Sequence, residues 1–317
     1  MSEERIARQP VEREDLVGTL FYPTTPGPHP TVLVFGGFGG GIREGAAEAL
    51  ALGGVAALAL AYLGTGSLPR DLVEIPLEYF AEAISWLKAQ PAVDADRIAV
   101  MGNSKGGELA LLLGATYPED VKAVVGYVPS AVVWQGTPSD QWSYSLDPKS
   151  SWSLGGEPLP FVRLASPLLS EMPQMTEFLF GEPMAIGHIF SERALEDEAA
   201  VAAASIAVEK INGPVMVISG TEDQLWPSTR LSEMVIERLE AHCHPFPYEH
   251  LRYEGAGHMI IMPNSEPETS QMSRLEVGGS KEANEFANKD SWPKVLAFLE
   301  KSLSIRNGKD SGEQEDR

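Results

Sequence analysis

The chain has 317 residues, 45 Asp and Glu against 24 Lys and Arg, a formal charge of −21 and 43% hydrophobic residues. So negative a chain argues against nucleic acid and anionic membrane surfaces as partners, and no run of about 18 uncharged apolar residues marks a membrane span. Cys243 is the one cysteine, which excludes an internal disulfide and fits a reducing compartment; the charged start Met1-Ser2-Glu3-Glu4-Arg5 lacks a signal peptide's apolar core, so a cytoplasmic location is expected.

In chain order, residues 1–9 are expected to be loose and 16–22 to form an edge strand. The prolines of 23–30 mark a turn. Residues 31–35 form a buried strand that runs into Gly36-Gly37-Phe38-Gly39-Gly40-Gly41. That run is not a phosphate cradle. No Gly-Lys-Ser/Thr ends it, and Ile42 stands where a third glycine would follow Gly37 and Gly39. The next strand, 55–61, ends in Tyr62-Leu63 with no carboxylate to hold a ribose. No cofactor is expected. Glycines that let backbone N–H groups approach a substrate suit an oxyanion hole better.

Residues 43–52 read as a helix stopped by Gly53-Gly54, and 76–89 as an amphipathic helix with Leu77, Phe80, Ala81, Ile84 and Leu87 on one face. A strand at 97–101 leads into Gly102-Asn103-Ser104-Lys105-Gly106, and Glu108-Leu109-Ala110-Leu111-Leu112-Leu113 opens a helix that runs to Tyr117. Strand, Gly-x-Ser-x-Gly, helix is the pattern of a nucleophile elbow. Another strand follows at 121–128. This alternation predicts an α/β fold with a mostly parallel central sheet and helices on both faces.

The rhythm breaks over 129–213, which holds Trp134, Trp142, Trp152, Met172, Met175, Phe178, Phe180 and Met184 among many Ser, Pro and Gly residues. We expect a lid-like insertion, with a helix over 194–210 and Trp134 among the substrate-binding residues. The core pattern resumes with a strand at 215–219, then Gly220-Thr221-Glu222-Asp223 and Trp226, a second candidate for substrate contact. A helix at 229–241, a short strand at 251–253, Gly255-Ala256-Gly257-His258 and a last helix at 291–302 complete the domain, expected to span 10–305. The charged tail 306–317 is expected to be disordered.

Ser104, Asp223 and His258 each follow the C-terminal end of a strand, and their order is that of an α/β-hydrolase triad. His258 would take the proton of Ser104 and later deliver it to the leaving group; Asp223, favoured over its neighbour Glu222, would hold the imidazole. The Lys105 N–H at the helix start is one oxyanion donor. The second comes from the glycine loop, with Gly37 and Phe38 as candidates. His242-Cys243-His244 has no matching second ligand pair, so no metal is expected.

These residues resemble the C-terminal catalytic domain of the acyl-CoA thioesterase and bile-acid-CoA:amino-acid N-acyltransferase family, a dienelactone-hydrolase-like group of α/β-hydrolases. The resemblance rests on Gly18-Thr19-Leu20-Phe21-Tyr22-Pro23, Phe35-Gly36-Gly37-Phe38-Gly39-Gly40, Leu58-Ala59-Leu60-Ala61-Tyr62, Gly102-Asn103-Ser104-Lys105-Gly106-Gly107-Glu108 and Ser219-Gly220-Thr221-Glu222-Asp223-Gln224-Leu225-Trp226. It implies the triad Ser104, Asp223 and His258 and a fatty or bile-type acyl thioester as substrate; the lid-like insertion over 129–213 is expected after the sixth strand of the fold. Transferases of this family carry cysteine at the nucleophile, so Ser104 implies hydrolysis. The N-terminal β-sandwich that such proteins commonly carry is expected to be missing, and Arg43, Arg70, Lys105 and Arg163 are the candidates for a local basic patch facing coenzyme A. The alternative functions are a carboxylesterase or dienelactone-hydrolase-like enzyme acting on oxygen esters or lactones, an acyltransferase, or a non-catalytic binding protein on the same fold.

Overall fold

Alternating side chains on buried strands must satisfy two cores at once, and the fold follows from that requirement. The structure, a computed structural model, describes residues 5–11, 13–138, 147–165, 187, 192–264 and 275–304. Its strands are β1 (Ile6–Pro10), β2 (Val17–Pro23), β3 (His29–Phe35), β4 (Ala56–Ala61), β5 (Ile75–Pro76), β6 (Val93–Asn103), β7 (Ala123–Tyr127), β8 (Trp152–Leu154), β9 (Glu157–Pro158), β10 (Val215–Gly220) and β11 (Tyr248–Tyr253). The helices are α1 (Glu44–Leu52), α2 (Glu78–Lys88), α3 (Lys105–Thr116), α4 (Glu192–Leu195), α5 (Glu198–Ala204), α6 (Ser228–Ala241) and α7 (Lys281–Ser304).

Eight strands form one sheet in the order β1-β2-β4-β3-β6-β7-β10-β11. β1 and β2 are antiparallel to their neighbours and every other pairing is parallel. Leu33, Phe35, Leu58, Leu60, Val100, Val124 and Val217 face one core with residues of α2, α3 and α6. Val32, Val34, Ala57, Ala59, Met101, Val125 and Ile218 face the other with α1 and α7. The strand order, the parallel pairings and helices on both faces make this an α/β-hydrolase fold. The chain leaves β3 for β4 on one side, then crosses to β6 on the other. The carboxyl ends of β3 and β6 therefore flank the switch point where such sheets bind ligands.

Four expectations change. Residues 6–10 are not loose, because β1 pairs with the outer edge of β2, with Ile6 opposite Pro23. That makes β2 an interior strand rather than the edge. The helix expected over 194–210 is broken: Asp197 caps α5 by accepting from Ala200 N, and the chain turns extended at Ser205 to bond the segment after β7, Ile206 N to Ala131 O. The last helix begins ten residues earlier than its apolar periodicity, at Lys281. Of 129–213, Trp142, Met172, Met175, Phe178, Phe180 and Met184 lie outside the described residues, as does the tail 306–317. The described parts are packed against the body. β8 pairs with β5 and β9 in a small second sheet, and Trp134 joins Val132, Val162, Ala204, Trp226 and Leu231 in a closed apolar cluster.

Candidate active site

The turn between β6 and α3 reverses within one residue. Ser104 has φ 58° and ψ −120°, a backbone state that costs a residue with a Cβ of order 1–3 kcal/mol. The glycines around it are required by contact. A Cβ on Gly102 would lie 2.0 Å from the Gly106 oxygen, and one on Gly106 would lie 2.3 Å from the Gly36 oxygen. The elbow therefore sits directly against the glycine loop after β3. Ser104 N donates to Tyr127 O at 2.8 Å, and Ser104 O accepts from Gly107 N and Glu108 N at 2.8 and 3.0 Å.

Ser104, Asp223 and His258 lie 35 to 154 residues apart in sequence, yet they form one hydrogen-bonded chain. His258 Nε2 is 2.9 Å from Ser104 Oγ, and His258 Nδ1 is 2.8 Å from Asp223 Oδ2. A carboxylate only accepts, so Asp223 selects the tautomer with hydrogen on Nδ1. Nε2 is then an acceptor, and the Ser104 hydroxyl donates to it. Asp223 is itself fixed, since Oδ1 accepts from Leu225 N and Trp226 N at 3.0 and 3.2 Å. Glu222, the competing acid, is exposed. The imidazole and the acid are buried, with the Trp226 ring edge-on to His258 at 5.8 Å between centroids.

The segment bearing His258 is held by three asparagines that the sequence reading missed. Gly257 N donates to Asn284 Oδ1 at 2.7 Å, Ile261 N donates to Asn288 Oδ1 at 2.9 Å, and Asn288 Nδ2 donates to Met259 O at 3.1 Å. Asn103, next to Ser104, donates to Ile260 O at 3.0 Å. Asn284 and Asn288 stand four apart on α7, so one helix face grips the loop twice. No local pattern identifies such residues, because their partners are remote in sequence.

Of the oxyanion candidates, Lys105 carries one of the first amides of α3, which have no intrahelical acceptor. Gly37 and Phe38 lie on the loop that touches the elbow. The Lys105 side chain is not part of a basic patch. It is buried and paired with fully buried Glu108, Nζ to Oε1 at 2.6 Å, and it donates to Ser151 Oγ at 2.9 Å. Trp152 Nε1 donates to the same carboxylate at 2.8 Å. Burial pulls the Lys105 pKa down and pushes that of Glu108 up, each opposed by its partner's charge. Arg43 packs over Gly36 and donates to Gly40 O, while Arg70 and Arg163 are exposed.

Both substrate-binding candidates are interior. Trp226 Nε1 donates to Val128 O at 3.0 Å and Trp134 Nε1 to Ser130 Oγ at 2.9 Å. A separate apolar group adjoins the loops bearing Asp223 and His258: Leu225 and Leu275 with Phe38, Leu164, Met259 and Val277 packed against them. Of the His242-Cys243-His244 run, His244 is buried with Nε2 3.1 Å from Gly213 O, and Cys243 is exposed. Among the described residues no helix is long and apolar enough to cross a membrane.

The family model described as BAAT / acyl-CoA thioester hydrolase C terminal matches residues 75–305. Mitochondrial acyl-coenzyme A thioesterase 2 of Mus musculus is 28% identical over 307 residues, which cover 95% of this chain and 62% of that protein. Acyl-coenzyme A thioesterase 6 of Homo sapiens is 30% identical over 312 residues, covering 96% of this chain and 67% of that protein. The chain thus spans less than two thirds of the mouse relative's length. A dienelactone hydrolase-like promiscuous phosphotriesterase from metagenomic libraries superimposes with a TM-score of 0.55 at 16% identity, covering 94% of this chain and 99% of that one. At that identity the likeness concerns the fold.

Proposed function

Because the chain belongs to the BAAT / acyl-CoA thioester hydrolase C-terminal family, we propose that it hydrolyses acyl thioesters, those of coenzyme A foremost, through an acyl-Ser104 intermediate. The observation that carries this reading is the hydrogen-bonded chain Ser104–His258–Asp223 at the switch point of the sheet. Ser104 Oγ attacks the thioester carbonyl as its proton passes to His258 Nε2. The new C–O bond forms while the carbonyl π electrons move onto oxygen. The Lys105 amide and an amide of the glycine loop receive that oxyanion. Collapse breaks the C–S bond, and the departing sulfur takes the proton from His258. Water then repeats the sequence on the acyl-serine, releasing the carboxylic acid and restoring Ser104.

Asp223 stabilises the imidazolium that forms in each half. The apolar group Phe38, Leu164, Leu225, Met259, Leu275 and Val277 provides a wall for an acyl chain. Leu164 of the 129–213 insertion contributes to this wall, and Trp134 and β8 anchor the insertion's described parts to the body. Serine at the nucleophile, where transferases of this family carry cysteine, favours water as acceptor.

The test is thiol release from a series of saturated acyl-CoAs of increasing length, beside short p-nitrophenyl esters. The wild-type protein should release free thiol and be labelled at Ser104 by a fluorophosphonate. Ser104→Ala should lose labelling and about 10⁴-fold or more in kcat. Full turnover by that variant would refute the acyl-serine route. Ester cleavage without thioester cleavage would remove the substrate assignment and leave the mechanism.

A further inference from the structure

The glycine loop after β3 has few side chains to hold it, yet an oxyanion hole works only if its donors are aimed before the reaction. Something outside the loop must fix it. Arg43 reaches its far end at Gly40 O, and a buried side chain, Tyr62, one residue past β4, reaches its start. Its hydroxyl lies 2.8 Å from Gly37 O and 3.0 Å from Gly36 O, and it donates to this pair of carbonyls. The ring is 1% exposed and locked by Phe80 and Trp152, with centroids at 5.7 Å from each. Gly40 N adds a bond to Gly37 O at 3.1 Å.

The peptide plane turns these contacts into a statement about amides. In a trans peptide the C=O of one residue and the N–H of the next point in opposite directions. Pinning Gly36 O orients the Gly37 N–H, and pinning Gly37 O orients the Phe38 N–H, both directed away from Tyr62. The same Gly36 carbonyl also lies against the elbow, where it blocks any Cβ on Gly106. We infer that Tyr62 is the positioning residue of the oxyanion hole: through Gly36 and Gly37 it aims the Gly37 and Phe38 amides at the oxygen of the tetrahedral intermediate. It touches no substrate. The inference rests on the acyl-serine reading above.

Tyr62→Phe deletes only the hydroxyl and keeps the ring packing. The purified protein is compared with wild type for kcat and KM on one acyl-CoA. Two inhibitors are added: a trifluoromethyl ketone of the same acyl length, which becomes a tetrahedral adduct on serine, and the product carboxylate, which does not. Activity is normalised to the sites titrated by a fluorophosphonate run to completion, so poorly folded material is not counted. The expected result is a loss of about 10–100-fold in kcat with KM little changed, and an equal weakening of the ketone while the carboxylate binds as before. A structural role alone would not move the two inhibitors apart. Unchanged kcat per titrated site, or a loss of kcat with no matching loss of ketone affinity, overturns the inference. If the wild type neither releases thiol nor labels at Ser104, the acyl-serine reading falls and Tyr62's role with it. If the wild type passes and Tyr62→Phe equals it, only the role of Tyr62 falls.

Discussion

Two glycines that look alike in the sequence have different costs when given a side chain. Gly102 has ordinary backbone angles, but its Cβ would meet the Gly106 oxygen at 2.0 Å, inside the elbow itself. Gly41 has φ 79° with nothing within 4 Å of a new Cβ. Gly102→Ala should therefore destabilise the protein by more than about 3 kcal/mol and abolish fluorophosphonate labelling of Ser104, while Gly41→Ala should cost about 1–2 kcal/mol and leave labelling intact. Thermal melts with labelling separate the two; equal losses would mean that the elbow yields more readily than its contacts imply. At this scale the sequence was most legible where a contact depends on local geometry. The members of the hydrogen-bonded chain, Ser104, Asp223 and His258, each follow a strand end with glycines nearby. Tyr62 does not, since its hydroxyl acts on carbonyls 25 and 26 residues away. Lys105 misled for a similar reason. A lysine after the nucleophile reads as a cation for the substrate until its partner Glu108 and the remote Trp152 are seen to enclose it.

Helix α3 carries that ion pair in its first turn, where it joins the elbow to Ser151 and to Trp152 of β8. Breaking one side of a buried pair leaves a charge without its counterion and costs about 3–5 kcal/mol, whereas removing both charges is far milder. Glu108→Gln should be strongly destabilised, and adding Lys105→Met should recover much of the loss, since glutamine can still accept from Trp152. Lys105→Met alone makes a pH prediction. Burial already raises the Glu108 pKa, and the variant removes the lysine charge that opposes this rise. The folded state of Lys105→Met then binds a proton that the unfolded chain has released. Its stability relative to wild type is greatest at low pH and is lost as pH rises from the unfolded glutamate range through the raised folded value. Melts of wild type and variant between about pH 5 and pH 8 check the sign; a flat difference would show that Glu108 is not held by Lys105. Elements with regular apolar spacing, α2 above all, were readable. α7 was only half readable, because residues 281–290 serve the His258 loop through Asn284 and Asn288 rather than burying an apolar stripe. The helix at 194–210 was overread, because alanine-rich propensity yields to Asp197 and to the extended Ser205 bonding the segment after β7.

At the scale of the whole molecule, alternation of strand and helix was enough to predict the sheet, since two-sided burial leaves few other arrangements. It was not enough for β1, whose polar residues pair at an edge that demands no hydrophobic signature. The charge is the other global property, and it pulls against the proposed substrate. A chain with a net charge of −21 repels a polyanion such as coenzyme A over distances set by ionic strength. The screening length is about 30 Å at 0.01 M salt and about 8 Å at 0.15 M. The buried Lys105 cannot offset this repulsion; the exposed Arg70 and Arg163 act only locally. Raising NaCl from about 10 to about 150 mM should therefore increase kcat/KM for an acyl-CoA several-fold, through KM, and leave that for an uncharged p-nitrophenyl ester of the same acyl length unchanged. The ester controls for any effect of salt on the triad, so the ratio of the two slopes reports the field at the head group alone. A decrease for the acyl-CoA would mean that local cations at the mouth of the site outweigh the net charge, and Arg70→Ala and Arg163→Ala would then each flatten the slope.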